Sequence, residues 1–215
     1  KYTGTGSNGT IAHGLGTTPK MIWVKKTSGT EDWRIYHQGA GDATKYMTLN
    51  STGAVSTAST VWNSTAPTST LFSIGTDGGV NTSGQTYIAY VWGEVPGFSA
   101  FGRYYGNNND NGPYVYTGFK PAFLLIRQTN DTGQWRIYDT LRESYGQKDL
   151  LKYLAAESTA AEVTPSDGNL DILSNGFKVR SSGGNHDLNG NSDPYSYMAF
   201  GQSIVGSNNV PCTAR

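Results

Sequence analysis

Trp33-Arg34-Ile35-Tyr36 and Trp135-Arg136-Ile137-Tyr138 are the same four residues written twice, and the reading of the whole chain works outward from them. They lie 102 positions apart (135 − 33), and the same offset relates Tyr2 to Tyr104, Gly4 to Gly106, Gly16 to Gly118 and Pro19 to Pro121. An offset that holds across residues 2–36 marks an internal repeat. Further along, Lys45-Tyr46 and Ser51-Thr52 match Lys152-Tyr153 and Ser158-Thr159 at 107. Phe72 matches Phe177 at 105, and Tyr87 and Ala89 match Tyr197 and Ala199 at 110. The offset changes where Gly, Asn and Asp cluster, as it does when loops vary and strands persist.

The repeat is a folding unit of about 100 residues, the size of one β-sandwich. It places a first domain at residues 1–96, a second at 97–206 and a tail at 207–215. Twin bodies predict like environments for Trp33 and Trp135. The counterpart of residues 97–103 is missing before Tyr2, so the chain is expected to be a piece of a longer polypeptide.

Composition agrees with strands. The chain has 28 Gly and 14 Tyr against 3 Met, which describes short strands joined by tight turns. At 215 residues it can bury roughly 70% of its unfolded surface and needs no metal or disulfide staple. Its single cysteine, Cys212, has no internal partner, so a disulfide scaffold is excluded, which leaves an intermolecular bridge or a free thiol. A net charge of +0 with 15% charged residues offers no basic stripe, and nucleic acid is not an expected partner. No run of about 18 apolar residues exists and residues 1–9 are polar, so neither membrane insertion nor a signal peptide is expected.

Met21-Ile22-Trp23-Val24 and Ala122-Phe123-Leu124-Leu125-Ile126 are continuous apolar runs just after a proline, the pattern of central strands covered on both faces. Turns at residues 28–32 and 130–133 lead into the WRIY segments, so each pair reads as a hairpin. Alternation puts Trp33 and Ile35 on one face and Arg34 and Tyr36 on the other. The Trp/Ile face is the expected core. By propensity, residues 147–163 are the best helix in the chain. Their repeat counterpart, Lys45-Tyr46-Met47-Thr48, has strand-forming residues, which favours a strand over residues 152–156. Strands at residues 71–74, 176–179, 87–95 and 195–201 close the units. The fold class is therefore all-β, two tandem antiparallel β-sandwich repeats of jelly-roll-like type.

Motifs that carry chemistry are weak. Gly4-Thr5-Gly6-Ser7-Asn8-Gly9 matches the dinucleotide fingerprint, but that motif needs a following helix, and residues 10–19 contain three structure breakers. It reads as a surface loop. His13, His37 and His186 show no zinc spacing. No G-x-S-x-G elbow occurs, and scattered acids such as Glu94, Glu143, Asp149 and Asp171 give no defined glycosidase pair. Catalytic residues are thus expected to be absent. Asp187, Asn189, Asn191 and Asp193 alternate as calcium ligands do, although Gly190 is fourth rather than sixth and Met198 stands where the bidentate acid belongs. Calcium is the one cofactor they would admit; the other reading is plain Asx turns. Trp62 and Asn63, and the loop containing Asn107, Asn109 and Asp110, are candidate sugar contacts, since a ring stacks on C–H faces while amides bond hydroxyls. The alternative for Trp62 is a plug at one end of its own sandwich. The Tyr-rich stretches at 104–105 and 114–116 carry the same two readings.

Several segments together resemble a known family. Gly97-Phe98-Ser99-Ala100-Phe101-Gly102-Arg103-Tyr104-Tyr105-Gly106-Asn107, Tyr116-Thr117-Gly118-Phe119-Lys120-Pro121-Ala122-Phe123-Leu124, the Trp-Arg-Ile-Tyr-Asp strand and Leu173-Ser174-Asn175-Gly176-Phe177-Lys178 are similar to a tandem domain of tailed-bacteriophage virion, tail and tail-fibre proteins, often marine ones. The likeness covers nearly the whole chain, and the short 211–215 end looks like a natural C-terminus. What it implies is a virion structural protein on the particle surface, a tail-fibre or decoration module for appendage assembly or host attachment. Its partners would be other virion proteins, a homo-oligomer such as a trimer, and a host cell-surface glycan. The alternatives are a lectin-like receptor-recognition module and, further off, a polysaccharide depolymerase.

Overall fold

Runs too apolar to face water on either side settle in the middle of a sheet, and here two such runs organise two bodies. The chain's computed structural model describes residues 1–142, 149–150, 152–164, 169–181 and 186–201. It divides into two compact units, Lys1–Glu94 and Val95–Arg215. The proposed tail 207–215, Cys212 and Glu143 lie outside the described residues.

The first unit runs β1 (Tyr2–Thr3), β2 (Gly9–Ala12), β3 (Met21–Lys26), β4 (Arg34–His37), β5 (Lys45–Thr48), β6 (Ser56–Thr57), α1 (Ser59–Trp62), β7 (Leu71–Ile74), α2 (Gly78–Asn81) and β8 (Thr86–Trp92). The second runs β9 (Ser99–Tyr105), β10 (Tyr114–Tyr116), β11 (Pro121–Gln128), β12 (Arg136–Asp139), β13 (Asp149–Leu150), β14 (Leu154–Ala155), β15 (Asn169–Leu173), β16 (Gly176–Arg180), α3 (His186–Asn189) and β17 (Pro194–Gly201). Among the described residues every strand pair is antiparallel. The large sheets are ordered β1-β8-β3-β4-β5-β6 and β9-β17-β11-β12-β14. The smaller ones are β2-β7 in the first unit and β10-β16-β15-β13 in the second.

Each unit has its own core between its two sheets. In the first, Ile22, Val24 and Tyr36 of the large sheet meet Phe72 and Ile74 of the small one, with Val61, Trp62, Val80 and Tyr87. In the second, Leu124, Ile126 and Tyr138 meet Val115, Phe177, Val179 and Leu170. This is all-β, sandwich-like architecture, each half-apolar sheet burying its face on another.

The face of WRIY that enters each core is the opposite of the expected one, although Ile35 and Trp135 on the other face are themselves only 0% and 1% exposed. Tyr36 is in register with Ile22, and Ile35 with Trp23. Tyr36 and Tyr138 therefore point into the cores, while Trp33 and Ile35 take the opposite face. The arginines follow the tyrosines inward. Arg34 lies 5.2 Å from the Tyr46 ring centroid, and Arg136, 5% exposed, lies 4.3 Å from that of Tyr153. A guanidinium is tolerated there because an aromatic face accepts it and its stem is apolar. Strand alternation was legible; which face was inside was not, because both are half aromatic.

Residues 154–155 form a strand, with Arg136 opposite Ala155 and Ile137 opposite Leu154. The matching pairs in the first unit are Arg34 with Thr48 and Ile35 with Met47. Sheet pairing thus overrides the helical propensity of this stretch. The alignment of the closing strands needs correction. Tyr87 opposes Lys26 and Tyr195 opposes Gln128, so Tyr87 corresponds to Tyr195, not Tyr197.

A polar cradle recurs at one end of each unit. Asn81 is wholly buried; its Nδ2 donates to the carbonyls of Ser7 (2.6 Å) and Gly75 (2.7 Å), and its Oδ1 accepts from Thr5 N–H (2.8 Å). Asn189 does the same with Asn109 O (3.0 Å), Ser181 O (2.6 Å) and Asn107 N–H (2.8 Å). Beside each amide sits a stacked tyrosine pair, Tyr2 with Tyr87 and Tyr104 with Tyr195, at 5.3 and 4.9 Å. Tyr87 Oη accepts from Thr82 N–H and Tyr195 Oη from Gly190 N–H. A Cβ on Gly4 would stand 2.3 Å from Thr82 O, and one on Gly106 would stand 2.2 Å from Gly190 O. The fingerprint-like glycines therefore serve a close backbone approach, and the loop enters strand β2 rather than a helix.

Burial pushes the Tyr2, Tyr36 and Tyr104 phenols upward. In the unfolded chain they ionise near pH 10. A raised folded value means that their contribution is fully present below about pH 10 and is lost as pH rises beyond it. The melting temperature is expected to fall between about pH 10 and 11.5, and to fall less steeply in Tyr104→Phe, whose neutral-pH stability is itself lower because its bond to Leu188 O is gone. An unchanged slope would refute this.

Candidate functional site

Because β8, β3 and β4 lie side by side, side chains pointing away from the first unit's core gather on one sheet face. Trp23 of β3 is in register with Tyr90 of β8, and Met21 with Trp92. Trp33 immediately precedes β4. The four rings form a closed circuit: Trp23 to Trp92 is 4.8 Å, Trp92 to Tyr90 6.2 Å, Tyr90 to Trp33 6.2 Å and Trp33 to Trp23 6.4 Å. Tyr90 is 44% exposed and the three tryptophans are half-buried. On the same face Met21, Ile35 and Met47 are at most 1% exposed and Trp23 Nε1 is buried, so Tyr90 is the ring of the four that reaches furthest into solvent.

Polar groups border the strip at Trp33. Its backbone N–H donates to Asn50 Oδ1 (3.0 Å), and Asn50 Nδ2 donates to Asp32 Oδ1 (2.8 Å). The Asp32 side chain is 54% exposed and lies 3.5 Å from Arg34 Nη1. The strip belongs to the first unit alone. Register places Leu125, Met198 and Phe200 where Trp23, Tyr90 and Trp92 stand, and Trp135 is 1% exposed beneath the Arg127 guanidinium, 5.8 Å from its ring. Trp33 and Trp135 occupy unlike environments, contrary to the twin-body expectation. The strand register recurs while the outer-face side chains differ.

The residues singled out from sequence fall elsewhere. Trp62 is 2% exposed and packs edge-on against Tyr36 at 6.0 Å. A ring so enclosed presents no face for stacking, so the sugar contact assigned to Trp62 is withdrawn in favour of the plug. Asn63 is the half-buried, left-handed cap of α1, at φ 50°. Asn107 and Asn109 are exposed but spend their side chains on Asx turns, accepting from Asn109 N–H and Asn111 N–H. Asp110 is exposed beside them.

Two of the four calcium candidates have their side chains engaged elsewhere. Asn189 is the buried cradle amide, while Asp193 accepts from Gln128 Nε2 (3.1 Å) and Asn130 Nδ2 (2.8 Å). Asn191 is exposed, and Asp187 lies in α3. Among the described residues no group of three His, Cys, Asp or Glu is placed to hold a metal. His37 is buried, its Nδ1 accepting from Gly39 N–H (2.9 Å). Of the other tyrosines, Tyr104 is core, whereas Tyr105, Tyr114 and Tyr116 are 57%, 45% and 66% exposed.

Sequence reasoning misses the strip because it places Trp23 in a strand covered on both faces and Trp33 on the core face. Trp23 and Trp92 lie on the adjacent strands β3 and β8 and Trp33 just before β4, a juxtaposition set by strand pairing, for which the sequence carries no local signal.

The model of one protein family, a domain of unknown function (DUF7483), matches residues 1–203, spanning both units. No curated protein and no solved structure matches the chain.

Proposed function

The chain belongs to the DUF7483 family, and we propose that it is a non-catalytic structural and attachment module of a bacteriophage appendage, a tail fibre or surface decoration. The observation that carries the attachment half is the aromatic strip of Trp23, Trp33, Tyr90 and Trp92. Tyr90, 44% exposed and held by the tryptophans packed about it, loses little conformational entropy on contact, as aromatic anchors of recognition surfaces do. The phage-like segments at residues 97–107 and 116–124 support the setting, and the recurrence of the Asn and Tyr cradle supports two duplicated units.

In this reading the module sits on the virion surface, beside other virion proteins and copies of itself, and meets the host envelope through the first unit. Immunoelectron microscopy of particles from the source tests it, with gold expected on a tail or surface appendage. Fluorescently labelled chain is expected to adhere to host cells, and Tyr90→Ala to weaken that adhesion about tenfold or more. Particles that carry no label would defeat the virion assignment.

A further inference from the structure

Separately from any contact with a host, we propose that the outer edge of β8, at Ala89 and Val91, is a docking site for one further strand, an extended apolar peptide segment lying end to end with β1. Among the described residues β1 pairs with Thr86 and Tyr87 alone, whereas β8 continues to Trp92. Gly4 N–H bonds Gln85 O, and Tyr2 stands opposite Tyr87. Along an antiparallel edge every second residue turns its N–H and C=O the same way. Ala89 and Val91 therefore direct theirs outward, where no strand among the described residues meets them. Ile88 and Tyr90 direct theirs to β3.

In the second unit the same edge is filled. Strand β9 runs along β17, with Gly102 opposite Tyr197 and Ala100 opposite Ala199, the positions equivalent to Ala89 and Val91. Beside β9, residues Ser196, Tyr197, Met198 and Ala199 are at most 7% exposed. At the equivalent positions of the first unit, Ile88, Ala89 and Val91 are only half-buried and Tyr90 is 44% exposed. Ala89 and Val91 pack against the first core without being sealed in it, whereas Ala100 and Ala199 belong to the second core at 4% and 0% exposure. Open edges are ordinarily guarded by lysine, proline or a very short strand. Ile88-Ala89-Tyr90-Val91-Trp92 carries no charge and no proline. Free backbone donors and acceptors above an unsealed apolar core are what strand addition uses. The form of β9 sets the chemistry of the occupant: small residues at the two core-facing positions, as Ala100 and Gly102 are, alternating with an outward residue that takes the place of Phe101, opposite Met198, and so stands beside Tyr90.

The test uses the intact 215-residue chain with a probe strand fused ahead of Lys1, the sequence of Gly97-Phe98-Ser99-Ala100-Phe101-Gly102, since Arg103 corresponds to Lys1. Tethering raises the probe's effective concentration to about the millimolar range. Amide hydrogen exchange followed by NMR is expected to slow about tenfold or more at Ala89 and Val91, with little change at Ile88 and Tyr90, and the melting temperature is expected to rise. The same probe with proline in place of its alanine lacks the N–H that meets Val91 O, and should leave Ala89 and Val91 exchanging as in the unfused chain. A Gly-Ser probe of equal length should do the same.

Unchanged exchange at Ala89 and Val91 with the first probe overturns the site. Equal protection by the proline or Gly-Ser probe overturns the pairing and the occupant chemistry. Protection of Ala89 and Val91 in the unfused chain that grows with its concentration, together with a dimer in analytical ultracentrifugation, overturns the peptide occupant in favour of a second copy.

Discussion

Asn81→Asp is expected to destabilise the chain by about 3–5 kcal/mol at pH 7, a large share of the 5–15 kcal/mol typical of a folded protein. The substitution changes one atom in shape and inverts its role. Oδ1 still accepts from Thr5 N–H, but the group that donated to Ser7 O at 2.6 Å and Gly75 O at 2.7 Å becomes an oxygen facing two carbonyl oxygens. The site is 0% exposed, so water cannot relieve the repulsion, and a buried carboxylate without a partner is costly. The same reasoning gives the pH dependence. Burial would raise the folded value of the introduced acid above its unfolded value of about 3.9. The protonated form, which can donate, is tolerated at low pH, and the penalty grows as pH rises past about 4. Urea midpoints of Asn81→Asp and Asn81→Ala at pH 4 and pH 7 check this. The aspartate should lose more between the two than the alanine; equal losses would remove the amide's donor role. Asn189→Asp should behave alike, since its amide meets Ser181 O and Asn109 O in the same way.

Trp62→Ala is expected to cost about 3–5 kcal/mol, far more than an exposed sugar-binding tryptophan would. The reason lies in the asymmetry of the units. The second unit closes its core with a four-stranded sheet, including Leu170 of β15, whereas the small sheet of the first has only β2 and β7 among the described residues. Helix α1 is tied to the chain after β7 by Gly75 N–H to Val61 O (2.9 Å) and Asp77 N–H to Thr60 O (2.9 Å). It brings Val61 and Trp62 into the core, where both are at most 2% exposed. Removing the indole leaves a void that surrounding strands cannot refill. Thermal melting measures the loss. A shift of only about one degree, the response of a surface site, would contradict the plug.

The duplicated WRIY motif, the apolar runs after Pro19 and Pro121 and the Gly- and Tyr-rich composition carry strand positions and hairpins, because alternation, turns and hydrophobic runs are local properties. Even the strand at Leu154–Ala155, hidden under a helical sequence, was legible through its repeat partner Lys45–Thr48. Hydrogen-bond partners are a different matter. Asn81 and Asn189 look like ordinary loop amides in one dimension, and their cradles join residues 74 to 82 positions apart.

Read alone, the sequence determined that this is an all-β chain, that its segments recur with a common pattern, and that no recognised reactive motif is written into it. Only the tertiary structure decided which face of each strand is inside, so that Tyr36 and Tyr138 are core while Trp33 turns outward, that Trp62 is enclosed, and that Trp23, Trp33, Tyr90 and Trp92 meet. The reason is physical: periodicity says that two faces of a strand differ, but which of two aromatic faces is buried depends on the sheet laid against it, and that sheet is assembled from residues distant in the chain.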